Sequence, residues 1–279
     1  MSELLGAAAI RDVLARKGVR PTKSLGQNFV IDPNTIRKVL DVAALEPEDV
    51  VFEIGAGAGS LTLGLADKAA QVFALEKDPK LVEVLRETLS GLSNVRVVEG
   101  DALEIDPSSF GATSLVANLP YNVAATLVIS ALERSPGIET LTVMTQREVG
   151  DRLAATPGSK TYGRSSVMVA LYGSAAVAAK VSRRAFWPVP NVDSVVVRID
   201  RSVRPLHEDA AAFASVVEAC FSSRRKTIRN GLAGLTGNTR EAESILRDAG
   251  LDPSARAEVL SPTDFATLTD SYKRTRQTR

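Results

Sequence analysis

The chain holds one cysteine, Cys220, and one histidine, His207, among its 279 residues. A lone cysteine closes no internal disulfide and builds no thiolate metal site. A lone histidine speaks against a Ser-His-Asp triad and against a His-ligated metal. No metal is expected, and both residues read as structural. No stretch of eighteen residues is apolar without charge, so hydropathy marks no membrane helix. Arg11, Asp12, Arg16 and Lys17 interrupt the apolar residues near the start. That pattern predicts an amphipathic helix, not a secretory leader, because no apolar core and cleavage site follow. These absences together predict a cytoplasmic protein with no membrane partner.

The net charge of +1 hides a polarised distribution. Residues 1–30 carry a net +3, residues 31–146 a net −9, and residues 147–279 a net +7. An acidic middle between basic ends suits a polyanionic partner gripped by those ends. Solvated surface charge with no partner gives the same arithmetic.

Short apolar runs alternate with helical patterns through the first two thirds. Residues 50–54, 71–76, 94–98, 114–117 and 140–144 read as strands, with helices over 60–69, from Pro79 onward, and over 124–133. Residues 192–199 form a late strand that can close one edge. The alternation predicts an α/β fold, a Rossmann-like doubly wound sheet with helices on both faces. Val203-Arg204-Pro205 reads as a linker. Beyond it lie helical segments near 208–222, 224–234, 239–249 and 262–271, punctuated by Asn230, Gly231, Gly237 and Asn238. The expected domains are therefore 1–203, with an N-terminal helical extension, and a smaller all-helical 204–279. The tail with Lys273, Arg274, Arg276 and Arg279 is expected to be disordered.

Glu53-Ile54-Gly55-Ala56-Gly57-Ala58-Gly59 falls at the end of the first strand and opens a helix. Glycines there allow a tight turn and close approach of a ligand to the backbone. The dinucleotide fingerprint needs a further glycine at position 60, which is Ser60. With no pyrophosphate to bind, S-adenosyl-L-methionine suits Gly55 and Gly57 better than a nicotinamide dinucleotide. A merely structural strand-to-helix turn is the alternative for this motif alone. Glu76 ends the next strand, 21 residues after Gly55, where a carboxylate accepts from ribose hydroxyls. Asp101, in Glu99-Gly100-Asp101-Ala102, follows the third strand, where a carboxylate accepts from an adenine amine. Three consecutive strand ends with suitable groups fall at the carboxyl edge, where open α/β sheets bind ligands.

Asn118-Leu119-Pro120-Tyr121 follows the fourth strand. An exocyclic base amine is a poor nucleophile, because its lone pair is delocalised into the ring. The Asn118 side-chain oxygen and the Leu119 carbonyl form an acceptor pair for the amine's hydrogens, favouring a tetrahedral nitrogen. Pro120 stiffens the backbone that aims the carbonyl, and Tyr121 offers a stacking face. No general base is needed before attack; positioning and electrostatics supply the rate. Phe186 precedes Pro188 and Pro190 on a stiff loop suited to a second stacking platform. An adenine in folded RNA must be unstacked to reach such a site. Trp187 reads either as a helper or as core.

Five separated motifs, in order, resemble the ribosomal RNA adenine dimethylase family. They are Lys23 to Asp32, the Gly55 loop, Asn118-Leu119-Pro120-Tyr121-Asn122, Phe186 to Ser194, and Ser223 to Asn230; Ser159 to Arg164 continues the likeness. Within the family the chain is most similar to the bacterial small-subunit members linked to kasugamycin resistance. The resemblance implies dimethylation of two adjacent adenosines near the 3′ end of 16S rRNA in a pre-ribosomal particle. It also implies that Gln27 and Asn28 fold over the cofactor and that the Val30 backbone closes on it. Gly55, Glu76 and Asp101, beside Ala102, would contact the cofactor; Asn118 would touch both cofactor and amine, and Phe186 would face Tyr121 across the adenine. Val30 stands where leucine is usual, and Ala56 where proline is frequent.

Arg147, Lys160, Arg164, Arg183, Arg184, Arg224, Arg225 and Lys226 are candidate phosphate contacts. Arg224, Arg225 and Arg229 cannot share one helical face, so part of that cluster can instead cap a domain interface. The expected partner is small-subunit rRNA and the expected state a monomer. The competing functions are a large-subunit rRNA dimethylase of the macrolide-resistance type and a non-catalytic assembly factor on the same fold. The intact Asn118 loop and Glu76 speak against the second of these.

Overall fold

The computed structural model describes residues 4–21, 27–222 and 226–277. It opens with helix α1 (Ala7–Arg16), strand β1 (Phe29–Val30) and helix α2 (Pro33–Ala43). Then come β2 (Val50–Ile54), α3 (Ser60–Ala66), β3 (Gln71–Glu76), α4 (Pro79–Thr88), β4 (Val95–Glu99), β5 (Ser114–Asn118), α5 (Ala124–Arg134) and β6 (Thr140–Gln146). Next are α6 (Arg147–Leu153), α7 (Arg164–Tyr172), β7 (Gly173–Val181), β8 (Phe186–Trp187) and β9 (Ser194–Arg201). Four helices complete the chain: α8 (Ala210–Phe221), α9 (Ile228–Thr236), α10 (Thr239–Asp248) and α11 (Pro262–Gln277).

Seven strands form one sheet in the order β4-β3-β2-β5-β6-β9-β7. The pairs β2·β3, β3·β4, β2·β5 and β5·β6 are parallel, and β6·β9 is antiparallel. The strand order reverses between β2 and β5, which is where an open α/β sheet leaves a crevice at its carboxyl edge. The central strands are apolar on both faces because helices cover both. Val51, Phe52, Val72, Ala74, Leu115 and Val116 are all buried. Phe110 packs tilted against Phe52 and Phe73, with centroids 5.3 and 4.9 Å away. Truncating a ring such as Phe52 to alanine costs about 3–5 kcal/mol.

Asp-Pro pairs start two of the helices that flank the site. Asp32 accepts from Asn34 N and Asp78 from Lys80 N, each just before a proline at the first helical turn. The side chain takes a backbone donor that the helix leaves unpaired, and proline has none to lose. Separately, β1 and β8 pair antiparallel, Phe29 opposite Trp187 and Val30 opposite Phe186.

The chain divides into two compact units. The first takes in Met1–Gly150 and Ala175–Arg201, the second Asp151–Ser174 and Ser202–Arg279. The sequence expectation of a single break between 203 and 204 differs, because residues 151–174 cluster with the C-terminal helices. The Tyr162 hydroxyl donates to the Leu260 carbonyl at 2.9 Å, and its ring meets Phe221 edge-on. The Ser202 amide donates to the Tyr172 carbonyl at 2.9 Å. The second unit therefore includes α7 as well as α8 to α11. The basic tail also departs from expectation: α11 runs through Lys273, Arg274 and Arg276, with Tyr272 buried and Lys273 paired to Asp209. Among the described residues, no helix is long and apolar enough to cross a membrane, and no group of three or more His, Cys, Asp or Glu is placed to hold a metal ion.

Candidate active site

A cavity of about 520 Å³ opens at the carboxyl edge of β2, β3, β4 and β5, within the first unit. Its walls come from residues 27–30, 53–58, 75–78, 100–103 and 118–123, together with Ser60, Leu61, Leu81 and Leu127. It brings together Gln27, Asn28, Val30, Gly55, Gly57, Glu76, Asp101, Ala102, Asn118, Leu119, Pro120 and Tyr121. The volume is that of a small-molecule site.

The glycine turn is built for close approach. Gly55 and Gly57 have φ of 72° and 59°, a left-handed conformation that a side chain disfavours. A Cβ at Gly57 would lie 3.1 Å from the Phe29 ring. The Gly57 amide donates to Glu76 Oε2 at 2.9 Å, and the Lys77 and Asp78 amides donate to Oε1 at 2.8 and 3.0 Å. Burial raises the Glu76 carboxyl, and the three amides oppose that. They also fix its orientation in advance of any ligand. Asp101 accepts from Lys77 Nζ at 2.6 Å and from the Leu103 amide at 3.0 Å. The Lys77 hydrogen bond holds its carboxyl below the usual range.

Glu53 lies beneath the turn, 1% exposed, and its Oε2 has no hydrogen-bond partner. Burial pushes its carboxyl up to about 8, so it is neutral at pH 7. Besides the neutral Glu53, three carboxyl groups, Glu76, Asp78 and Asp101, and one ammonium, Lys77, line the described wall. Such a wall suits a cationic ligand and repels a pyrophosphate.

Asn118 ends β5, and its Nδ2 donates to the Asn28 carbonyl at 3.0 Å. The Leu119 amide donates to the Met144 carbonyl at 3.0 Å, which ties the following peptide to β6. The Tyr121 hydroxyl bonds Ser194 Oγ at 2.8 Å, anchoring the ring to β9. Burial raises the Tyr121 phenol.

Phe186 is not brought to the cavity. It is 0% exposed and packs among Val30, Ile36, Val39 and Val196. The reason is its place in β8: successive strand residues face opposite sides, and the Phe186 side falls on the core. Trp187 packs instead beside Phe29 and α1, with the Arg11 guanidinium 5.4 Å from its ring centre.

The basic candidates are exposed where they are described. Asp193 gathers two of them, accepting from the Arg147 amide through its carbonyl and from the Arg183 amide through Oδ1, at 3.1 and 3.0 Å. Arg184 is exposed beside them. Lys160, Arg164 and Lys226 are exposed in the second unit, where Arg164 reaches Glu218 at 3.9 Å. Arg224 and Arg225 lie outside the described residues. Sequence reasoning passed over Lys77, Asp78 and Ser194. Pro79 marked a helix start but gave no sign that Asp78 before it lies in the cavity wall.

The family model for ribosomal RNA adenine dimethylase matches residues 19–274. The chain is 47% identical over 276 residues to the ribosomal RNA small subunit methyltransferase A of Kineococcus radiotolerans, covering 96% of this chain and 91% of that one. It is 45% identical over 277 residues to the protein of the same name from Paenarthrobacter aurescens, covering 97% and 94%. The 23S rRNA methyltransferase ErmE superposes with a TM-score of 0.67 at 33% identity, over 88% of this chain and all of that one. A dimethyladenosine transferase from Plasmodium falciparum shares the fold, with a TM-score of 0.74 at 23% identity over 87% and 96%. With one family model spanning both compact units and relatives alike along nearly their whole length, the chain belongs to the ribosomal RNA adenine dimethylase family.

Proposed function

We propose that this chain uses S-adenosyl-L-methionine to dimethylate the exocyclic amine of two adjacent adenosines near the 3′ end of small-subunit (16S) rRNA. The observation that carries the chemistry is the Asn118 amide, whose Nδ2 is taken by the Asn28 carbonyl. That leaves the Asn118 oxygen, beside the Leu119 carbonyl, as an acceptor pair for the amine's hydrogens. Gly55, Gly57, Glu76, Asp101 and Ala102 would hold the donor, with Gln27, Asn28 and Val30 over it. When bound, the donor supplies a methyl group already activated on a sulfonium.

The chain's own residues position the base. Tyr121, anchored through Ser194, offers a stacking face. Pro120 and the bond from Leu119 to Met144 keep the acceptor carbonyl aimed. A monomethylated amine retains one hydrogen for the acceptor pair, and a dimethylated one retains none, so the reaction stops at two.

The choice of small-subunit rRNA is supported by identities of 45–47% to proteins named for that subunit, against 33% to ErmE. One base pocket cannot select a site among thousands of adenines. Selection falls to the shape read by Arg147, Arg183 and Arg184 and by the second unit with Lys160, Arg164, Arg224, Arg225 and Lys226. Such a shape exists in a partly assembled particle, which we take as the substrate, modified by a monomer in the cytoplasm.

The test offers purified enzyme protein-free rRNA, immature small subunits and large subunits, with mass spectrometry of the adenosines. Dimethyladenosine is expected from the immature small subunits, and Asn118→Ala should abolish it while leaving particle binding intact. Modification confined to large subunits, a product that stops at monomethyladenosine, or near-normal turnover by Asn118→Ala overturns the assignment.

A further inference from the structure

The Asn118 amide has two possible faces, and only one is useful. A backbone carbonyl accepts and never donates, so the Asn28 carbonyl selects the nitrogen as the arm turned toward it. Flipped, Asn118 would aim donors at an amine whose hydrogens need an acceptor. The rotamer therefore depends on where Asn28 sits.

Asn28 follows Gln27, and Gln27 Nε2 donates to Asp78 Oδ2 at 3.2 Å. Asp78 is itself held rigidly. Its Oδ1 accepts from the Lys80 amide at 3.0 Å at the start of α4, and its own amide donates to Glu76 Oε1 at 3.0 Å. A line of hydrogen bonds thus runs from the β3–α4 junction through Gln27 and Asn28 to the end of β5. The tight seat of Phe29 against Gly57 continues the same segment.

We propose that Asp78 is a positioning residue for methyl transfer: by seating Gln27 it holds the Asn28 carbonyl against Asn118 and fixes the acceptor face of that amide. The inference rests on the assignment of Asn118 as the amine's acceptor. It also couples the segment over the donor to the group that holds the amine, so that one is in order only when the other is.

The test is a swap. Gln27→Glu sets a carboxylate against Asp78 and should push the segment off its seat. Adding Asp78→Asn restores a donor–acceptor pair, and asparagine still caps α4. Turnover on immature small subunits, the KM for those subunits, and the melting temperature are measured for each variant. Gln27→Glu should lower kcat about tenfold or more, with the particle KM little changed, and the double variant should regain most of the loss. Recovery in the double variant cannot come from fold stability alone if both variants melt alike; if they do not, turnover is compared at temperatures equally far below each melting point. A kcat untouched by Gln27→Glu, or a double variant no better than the single, overturns the inference. Asn118→Ala run alongside separates the failures. If it keeps turnover, the acceptor assignment falls and takes this inference with it; if it is inactive and the swap shows no recovery, the Asp78 role falls alone.

Discussion

Replacing Glu53 by glutamine should stabilise the protein at neutral pH and change how stability depends on pH. Glu53 is buried on β2 with one oxygen unpartnered, and burial lifts its carboxyl from an ordinary 4.5 to about 8. Below about pH 4.5 the folded and unfolded chains both hold the proton. Between 4.5 and 8 the folded chain keeps it and the unfolded chain releases it, so stability falls as pH rises. Each pH step in that window removes about 1.4 kcal/mol, or roughly 3 kcal/mol by pH 7. Above about 8 both states are ionised and the loss levels off. Glutamine has nearly the same shape and does not titrate, so the difference in stability between variant and wild type isolates this one group. The expected difference grows from pH 5 to pH 8 and corresponds to a rise in melting temperature of roughly 5–10 °C at pH 7. Denaturant unfolding of both proteins without cofactor, at pH 5, 6, 7 and 8, reads it directly. Parallel pH profiles would refute the argument, because they would mean that Glu53 ionises alike in both states.

Glu76→Ala should weaken S-adenosylmethionine binding by roughly 1.5–3 kcal/mol, the scale of hydrogen bonds to a charged group. It also leaves the Gly57, Lys77 and Asp78 amides without their acceptor, so calorimetry should be read beside the melting temperature; unchanged affinity removes Glu76 from the cofactor site. Charge reversal at Arg183 and Arg184 should weaken binding to immature small subunits and flatten its salt dependence, with cofactor affinity intact. Equal binding at every salt concentration would make that pair structural.

The sheet was legible because its strands are buried on both faces and write themselves as apolar runs. Residues 50–54 and 71–76 match β2 and β3 end for end, and β4, β5, β6 and β9 fall within a few residues of their expected bounds. The strand ends carrying Gly55, Glu76, Asp101 and Asn118 line one cavity for the same reason. What the sequence did not betray depended on distant partners. β7 is alanine-rich and mostly exposed, so neither strand propensity nor alternation marks it. Phe186 looked like a stacking platform because its prolines stiffen the loop, yet pairing with β1, some 150 residues earlier, decides which way it faces. The start of α2 carries a proline in the same helix-opening position as Pro79 and was passed over. The orientation of Asn118 is set by a carbonyl 90 residues away, beyond any local pattern.

The pairing of β1 with β8 has a consequence for the order in which the protein is made. The Ile31 amide also donates to the Ala185 carbonyl at 2.8 Å, so the segment over the cavity is fastened to a stretch that leaves the ribosome long after it. Tyr121 waits likewise for Ser194, and β6 for β9. Contacts of such high sequence separation close late, after the loop entropy between them has been overcome. A nascent chain ending before about residue 185 holds the glycine turn, Glu76 and Asn118 but neither β8 nor β9, the partners of β1, Tyr121 and β6. The segment over the cavity and the anchor of Tyr121 are therefore completed only once about two thirds of the chain has been made.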